Sequence, residues 1–286
     1  MLQKSLEELA QTEGGKTAIK IIKQNKIAQI VVYILMFLIF SFFIFTSDRY
    51  KIVFYITMAI YLALGLGVRK YYARIHKILN EECDPFKAEE LYTYYYLAYA
   101  KKKLEKKPDS SLKWFYHLCI SISVMFQGDY ERAFCILNQI DRRELESDRS
   151  KQYLIVSFHS NMRMYYCYKN DDAVLNDMRN YFLRMSEDSN IKKRYRKLIK
   201  KEIETIDLHF SLNRGDFSVY EYLRRQPKWT KGPRLHRVAT RWVDAKVHNM
   251  QKNREAAMLD CQYIIENGNR LFYVDKAKQM LSYIES

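Results

Sequence analysis

The chain is poor in the residues that make turns, with 8 Gly and 4 Pro among 286 residues. Folds built from many short strands need more of both, so an all-β sandwich or barrel is excluded. Its five cysteines, Cys83, Cys119, Cys135, Cys167 and Cys261, are odd in number, widely spread and without a C-x-x-C pair. The paired ligand spacing of a zinc site is therefore missing. Each cysteine falls within or beside a helical pattern, where the expected role is a small buried hydrophobe. The histidines are scattered as His76, His117, His159, His209, His236 and His248, and no H-E-x-x-H or nucleophile motif accompanies them. Without a catalytic constellation the chain is not read as an enzyme, and no cofactor, metal or small-molecule substrate is inferred. Ala10–Thr17 resembles a relaxed phosphate-binding loop ending in Gly15-Lys16-Thr17. That chemistry needs a preceding strand, whereas Leu2, Leu6 and Leu9 have helical spacing. The expected role of Gly14-Gly15 is a break between an amphipathic N-terminal helix and the basic stem that follows.

Charge is missing from two stretches. Ile27–Phe45 holds only Gln29 and Ser41 as polar residues among nineteen, and Ile52–Val68 has seventeen residues without a charge. The hydrocarbon core of a bilayer takes about 20 apolar residues of helix, with roughly 17 as the short limit. Neither run has the polar face of a helix on a soluble surface. The hexapeptide Thr46–Lys51 between them suffices for a tight turn, so the pair predicts a transmembrane hairpin over 27–68, with spans 27–45 and 52–68. Lys16, Lys20, Lys23 and Lys26 precede the hairpin, and Arg69, Lys70, Arg74 and Lys77 follow it. Basic flanks stay on the cytosolic side, so the expected location is the cell membrane with both termini cytosolic. A cleaved signal peptide fits the first run less well, because it has no small-residue cleavage site and a second run follows at once.

What is abundant is helix-forming and aromatic: Leu, Ile, Lys, Glu and Arg, with 24 Tyr and 15 Phe. Asp84-Pro85 reads as a helix start, with Asp as N-cap and Pro at the first helical position. The helix from Pro85 to Lys106 carries Leu91, Tyr92, Tyr95, Tyr96 and Tyr99 near one face, where aromatic core packing competes with a binding role. A pattern then recurs: a long helix, a short polar turn, a shorter helix. It is seen in Leu112–Phe126 with Glu131–Ile140, Lys151–Tyr168 with Asp172–Met185, Ile191–Asn213 with Ser218–Arg225, and Leu235–Met250 with Glu255–Asn267. A last helix covers Arg270–Ser286. Taking Gly128, Lys169, Gly215 and Lys252 as equivalent gives steps of 41, 46 and 37 residues. A period of helix pairs in this range signals a solenoid, in which neighbouring pairs supply each other's core.

The expected fold class is all-α, an N-terminal transmembrane hairpin followed by a cytosolic α-solenoid of stacked helix pairs. The expected divisions are a cytosolic segment 1–26, the hairpin 27–68, a basic juxtamembrane linker 69–85, and the helical-repeat domain 86–286. Within that domain Gly128-Asp129-Tyr130-Glu131-Arg132-Ala133 resembles the turn and second-helix start of a tetratricopeptide repeat. Gly215-Asp216-Phe217 repeats the turn with Tyr220 in place of the small residue, and Lys252-Asn253-Arg254-Glu255-Ala256-Ala257 keeps only the Ala. The family's 34-residue period and the Leu-Gly pair of its first helices are not met. The resemblance implies a surface that binds a protein or peptide, formed by the first helix of each pair. Counting back from each turn gives Phe115, Leu118, Ile122 and Met125, then His159, Arg163 and Tyr166, then His209 and Asn213, then Trp242, Lys246 and Asn249. Such a surface, apolar at one end and basic with aromatic anchors elsewhere, suits an extended peptide bearing an acidic group.

The formal net charge is +15. Its densest clusters are Lys192, Lys193, Arg194, Arg196, Lys197, Lys200 and Lys201, and the acid-free stretch between Glu221 and Asp244 with Arg224, Arg225, Lys228, Lys231, Arg234, Arg237 and Arg241. No recognition helix, RNA-binding signature or zinc finger accompanies them. Anionic lipid headgroups or an acidic partner are therefore the expected counterpart of the first cluster, ahead of nucleic acid. The leading functional expectation is a membrane-tethered scaffold or adaptor that presents a helical-repeat domain at the cytosolic face of the membrane. Two others stand beside it: an accessory subunit of a membrane enzyme or transporter complex, and a membrane-proximal nucleic-acid-binding regulator.

Overall fold

A computed structural model describes residues 5–44, 75–100, 110–147 and 151–286, and every regular element among them is helical. Four reversals with one local geometry organise the chain. Gly128, Asn170, Gly215 and Lys252 all have positive φ, the left-handed conformation that ends a helix. At each, the next residue's N–H reaches back five positions: Asp129 to the Val124 carbonyl, Asp171 to Tyr166, Asp216 to Ser211 and Asn253 to His248, at 2.8–3.3 Å. One position inward, Gly128, Asn170, Gly215 and Lys252 donate to the carbonyls of Met125, Cys167, Leu212 and Asn249. The paired bonds satisfy the last carbonyls of each long helix. The Asp or Asn that follows then starts the next helix. Its side chain accepts the N–H of Arg132, Val174, Ser218 or Ala256 in turn, at 2.9–3.2 Å. The second reversal thus centres on Asn170, one residue beyond the Lys169 that sequence spacing selects.

These turns join α4 (Ser110–Phe126) to α5 (Tyr130–Leu137), α7 (Gln152–Lys169) to α8 (Asp172–Glu187), α9 (Lys193–Asn213) to α10 (Ser218–Arg224), and α11 (Arg234–Met250) to α12 (Arg254–Asn267). A short α6 (Arg142–Ser147), not anticipated from spacing, lies between the first two pairs, and α13 (Phe272–Glu285) packs on α12. Five residues after each positive-φ position the second helix meets the first. Those residues, Ala133, Leu175, Tyr220 and Ala257, are 0%, 0%, 2% and 0% exposed.

The N-terminal segment docks on the array. In α1 (Leu6–Gln11), Ser5 and Glu8 form a reciprocal capping box. Gly14 and Gly15 do not break a helix; they lie in the first turn of α2 (Glu13–Ile44), which excludes a phosphate-cradling loop. Their role is close approach. A Cβ on Gly14 would come within 2.5 Å of the Lys87 carbonyl and the Glu90 side chain, and one on Gly15 within 1.7 Å of the Leu9 carbonyl. Lacking both Cβ atoms, α1 folds back on α2 and α2 lies directly against α3 (Pro85–Tyr95). Asp84 caps α3 with Pro85 in the first turn, and Tyr96–Ala100 continues it as a π turn; the expected extension to Lys106 falls outside the described residues.

The segment 69–85 is not a bare linker where it is described. Residues 75–80 are helical, and Ile75, Ile78, Leu79 and Cys83 are buried in the core that α2 and α3 share. Far along the chain, the α12–α13 turn returns to this segment. Arg270 N–H bonds the Cys83 carbonyl (3.3 Å), Asn269 Nδ2 bonds the Glu82 carbonyl (2.8 Å), and the Arg270 guanidinium stands 3.5 Å from Asp84. The array of pairs therefore closes on its own beginning, and one apolar core runs from Ala18 through Leu118 to Ala277.

Over Ile27–Phe37 the fold leaves apolar side chains uncovered. Ile27, Ile30, Val31, Tyr33, Ile34, Leu35, Met36 and Phe37 are 41–70% exposed, around all sides of α2. The span expected over 52–68 lies outside the described residues, and no helix among the described residues is long and apolar enough to cross a membrane. The hairpin predicted from sequence is therefore not part of the described fold.

Candidate functional site: the inner wall of the first helices

The long helices α7, α9 and α11, with α13, turn side chains toward a shared inner wall. Arg163 of α7 places Nε 2.6 Å from the Glu202 carboxylate of α9, each side chain 14% exposed. Two turns further along α9, His209 lies 3.1 Å from Asn213 and 3.6 Å from Asp172, the first residue of α8. Trp242 of α11 meets Tyr273 of α13 at 6.3 Å between ring centroids, and Tyr273 meets Phe126 of α4 at 6.2 Å.

Charges on these helices act on one another. Desolvation holds the His209 imidazole below its ordinary pKa; Asp172 opposes this, and the charges of Lys246 and Arg163 reinforce it. Desolvation pushes the Tyr273 phenol up to about 12, and the charge of Arg163 moderates the rise. Lys246 is exposed, yet desolvation lowers its pKa, against the opposing effect of the Cys167 thiol. Among the described residues no carboxylate lies within ion-pair distance of Lys246, so its charge is free for a ligand.

Of the residues expected from sequence, Arg163, His209, Asn213, Trp242 and Lys246 are brought to this wall. Tyr166 is half-buried, edge-on to Phe134 at 6.2 Å, and Asn249 is half-buried on α11. His159 is not at the surface. It is 4% exposed, bonds Glu146 at 2.9 Å and packs against Tyr181 at 4.4 Å, because the unanticipated α6 covers it. At the apolar end Leu118 and Met125 are core residues, whereas Phe115 and Ile122 are half-buried. Spacing alone missed Glu202, Asp172, Cys167 and Tyr273. Tyr273 had a signal, since α13 begins where a further first helix would.

Other candidates resolve into structure. Tyr92 and Tyr95 are 2% and 1% exposed, and Tyr92 bonds His76 at 2.9 Å. A buried polar network, His248–Asp260–Arg241 at 2.8 and 2.7 Å, ties α11 to α12. Cys83, Cys119 and Cys261 are buried as expected, Cys167 is half-buried, and Cys135 is exposed. Among the described residues no group of three His, Cys, Asp or Glu could hold a metal ion. Lys192, Lys193, Arg194, Arg196, Lys197, Lys200 and Lys201 are all exposed. No family model matches the chain, and no curated protein or solved structure is significantly similar to it.

Proposed function

We propose that this chain is a membrane-tethered scaffold whose tetratricopeptide-like helix array binds an extended, acidic segment of a partner protein along its inner wall. The observation that carries the reading is Lys246, an exposed cation with no carboxylate within ion-pair distance among the described residues, one turn along α11 from Trp242, which meets Tyr273. A partner carboxylate placed there would gain a charge-assisted bond in a partly dry site, with aromatic faces as anchors. The tether is supported by the uncovered apolar side chains of Ile27–Phe37, a patch of a kind that marks membrane or protein contact, and by the charge-free run at 52–68. Tethering raises the effective concentration of the array toward partners at the same membrane. The exposed run also suits packing against a partner's helices, the accessory-subunit reading; a stoichiometric membrane partner after detergent extraction would favour it.

The test uses the full chain in native membranes with a photo-crosslinking residue at Asn249 or, as a control, at exposed Tyr283. A crosslinked product from position 249 alone, competed by acidic peptides and lost with Lys246→Glu, is expected. Equal products from both positions would sink the inner-wall reading. For the tether, a cysteine at Ser47 in a background lacking native cysteines should react with an impermeant thiol reagent from outside. One at Ser286 should react only after permeabilisation.

A further inference from the structure

The two basic clusters, about one solenoid period apart in sequence, stand on α9 and on the α10–α11 connection, and α10 packs on α9. His236, near the start of α11, bonds the Lys228 carbonyl at 3.0 Å and lies within the field of Lys201 on α9. On these elements arginine and lysine have different fates. Arg196 spends its guanidinium on the carbonyls of Ile191, Asp188 and Ser189, closing the end of α8. Arg194 stacks on Tyr195, Arg237 bonds the Gly232 carbonyl, and Arg241 pairs with Asp260. The ammonium groups of Lys193, Lys197, Lys200, Lys201, Lys228 and Lys231 are exposed and, among the described residues, have no carboxylate within ion-pair distance.

This arrangement works against the fold. Lys193, Lys197 and Lys201 stand four apart on one side of α9, so like charges repel along it. Lys193 also stands in the first turn, at the positive end of the helix dipole. The start of α9 has no acidic residue in its first turn and no side-chain cap, and the start of α11 has neither as well. Among the described residues no carboxylate pairs with these ammonium groups, which leaves them available to an external anionic surface. The chemistry of the free groups selects its kind. Lysine is a mobile point charge suited to a diffuse anionic surface, whereas arginine forks give the bidentate contacts of specific phosphate recognition, and here the arginines are largely occupied.

We propose that this lysine edge of α9 and the α10–α11 connection lies against anionic lipid headgroups of the membrane that holds the apolar run. The proposal rests on the tethered reading above and adds a second, electrostatic contact that orients the array on the leaflet.

The test places the full chain in lipid nanodiscs of phosphatidylcholine alone or mixed with phosphatidylserine. Lysine acetylation by a water-soluble reagent is read peptide by peptide. Labelling of Lys197, Lys200, Lys201 and Lys228 should fall about fivefold with phosphatidylserine, the factor for one lysine's attraction to an anionic surface. Protection should vanish in about 0.5 M salt, where screening acts within a few ångströms. Exposed Lys278 on α13 should label equally in both. Equal labelling of the edge in the two lipids overturns the proposal. So does stronger protection by a DNA oligonucleotide in phosphatidylcholine discs, which would assign the edge to nucleic acid. Entry into phosphatidylcholine discs reports on the tether separately; a chain that stays outside them is mixed with vesicles of the same lipids and protection is read there. The Lys197→Gln, Lys201→Gln chain, with unchanged thermal unfolding, should lose the lipid-dependent protection of Lys200 and Lys228.

Discussion

Arg163 and Glu202 face each other at 2.6 Å across α7 and α9, with only 14% of either side chain exposed. The pair fixes the spacing of two first helices at the centre of the inner wall. Removing one member leaves a partly buried charge uncompensated, so Arg163→Met should lower the unfolding free energy by about 2 kcal/mol. Adding Glu202→Met should restore most of the loss, because two apolar groups of similar volume leave nothing unpaired. Urea unfolding of the single and double variants measures it. A double variant no better than the single one would show that the pair is not coupled. For the same reason Lys246→Glu tests ligand binding more cleanly than any change at Arg163.

Ala133 is 0% exposed where α5 meets α4, five residues after the positive-φ Gly128. Ala133→Arg forces an unpaired charge into that contact at a cost of several kcal/mol, comparable with the roughly 5–15 kcal/mol that holds a domain together. Cooperative melting of the array should be lost, whereas exposed Lys197→Ala should stay within about 0.5 kcal/mol of the parent. Equal melting of the two would place the helix contact elsewhere.

Acid should destabilise the fold in two stages. Burial holds the imidazoles of His76, His117, His159 and His209 below the ordinary histidine pKa. The unfolded chain then binds the proton more readily, so stability is full above about pH 7 and falls as pH drops through 6.5. The hydrogen bond from His159 holds the Glu146 carboxyl down to about 2, against desolvation and with help from Arg142. Its contribution is present above the unfolded glutamate value and is lost below about pH 4. Melting temperatures at pH 7.5 and 5.5 should differ less in His159→Gln than in the parent, since a glutamine can still donate to Glu146 and does not titrate. Identical pH slopes would remove His159 from the first stage.

Two glycines should respond differently to the same methyl group. Gly14→Ala drives a Cβ to 2.5 Å from the Lys87 carbonyl and 2.9 Å from the Leu91 amide, backbone atoms that cannot yield. The strain of overpacking there should cost about 1–3 kcal/mol and raise hydrogen exchange along the first turns of α2. Gly215→Ala meets nothing within 4 Å and carries only the strain of φ +72°, about 1 kcal/mol. Exchange in α2 that is unaffected by Gly14→Ala would contradict the docking of α2 on α3.

The all-α class and the reversal register were legible in the chain because their causes are local. A left-handed residue, an Asp or Asn after it and an apolar residue five positions on lie within one turn of each other, so Gly128, Gly215 and Lys252 could be found by eye. Asn170 was missed by one residue because Lys169 and Asn170 both end a polar turn, and only backbone geometry separates them. The uncharged runs were equally plain in composition.

Tertiary structure decided which side chains meet. Each helical residue is rotated about 100° from the last, so the inner wall depends on how α7, α9, α11 and α13 are set against one another. His159 shared the spacing of Arg163 and was still carried into the core, since α6 packs over it. The docking of the N-terminal segment turned on a contact between Gly14 and residues more than seventy positions away. The division of labour on the basic edge, arginines bound to carbonyls and carboxylates and lysines left free, is invisible in a string where both count only as positive charge. Such facts are set by long-range contacts, which local spacing constrains but does not choose.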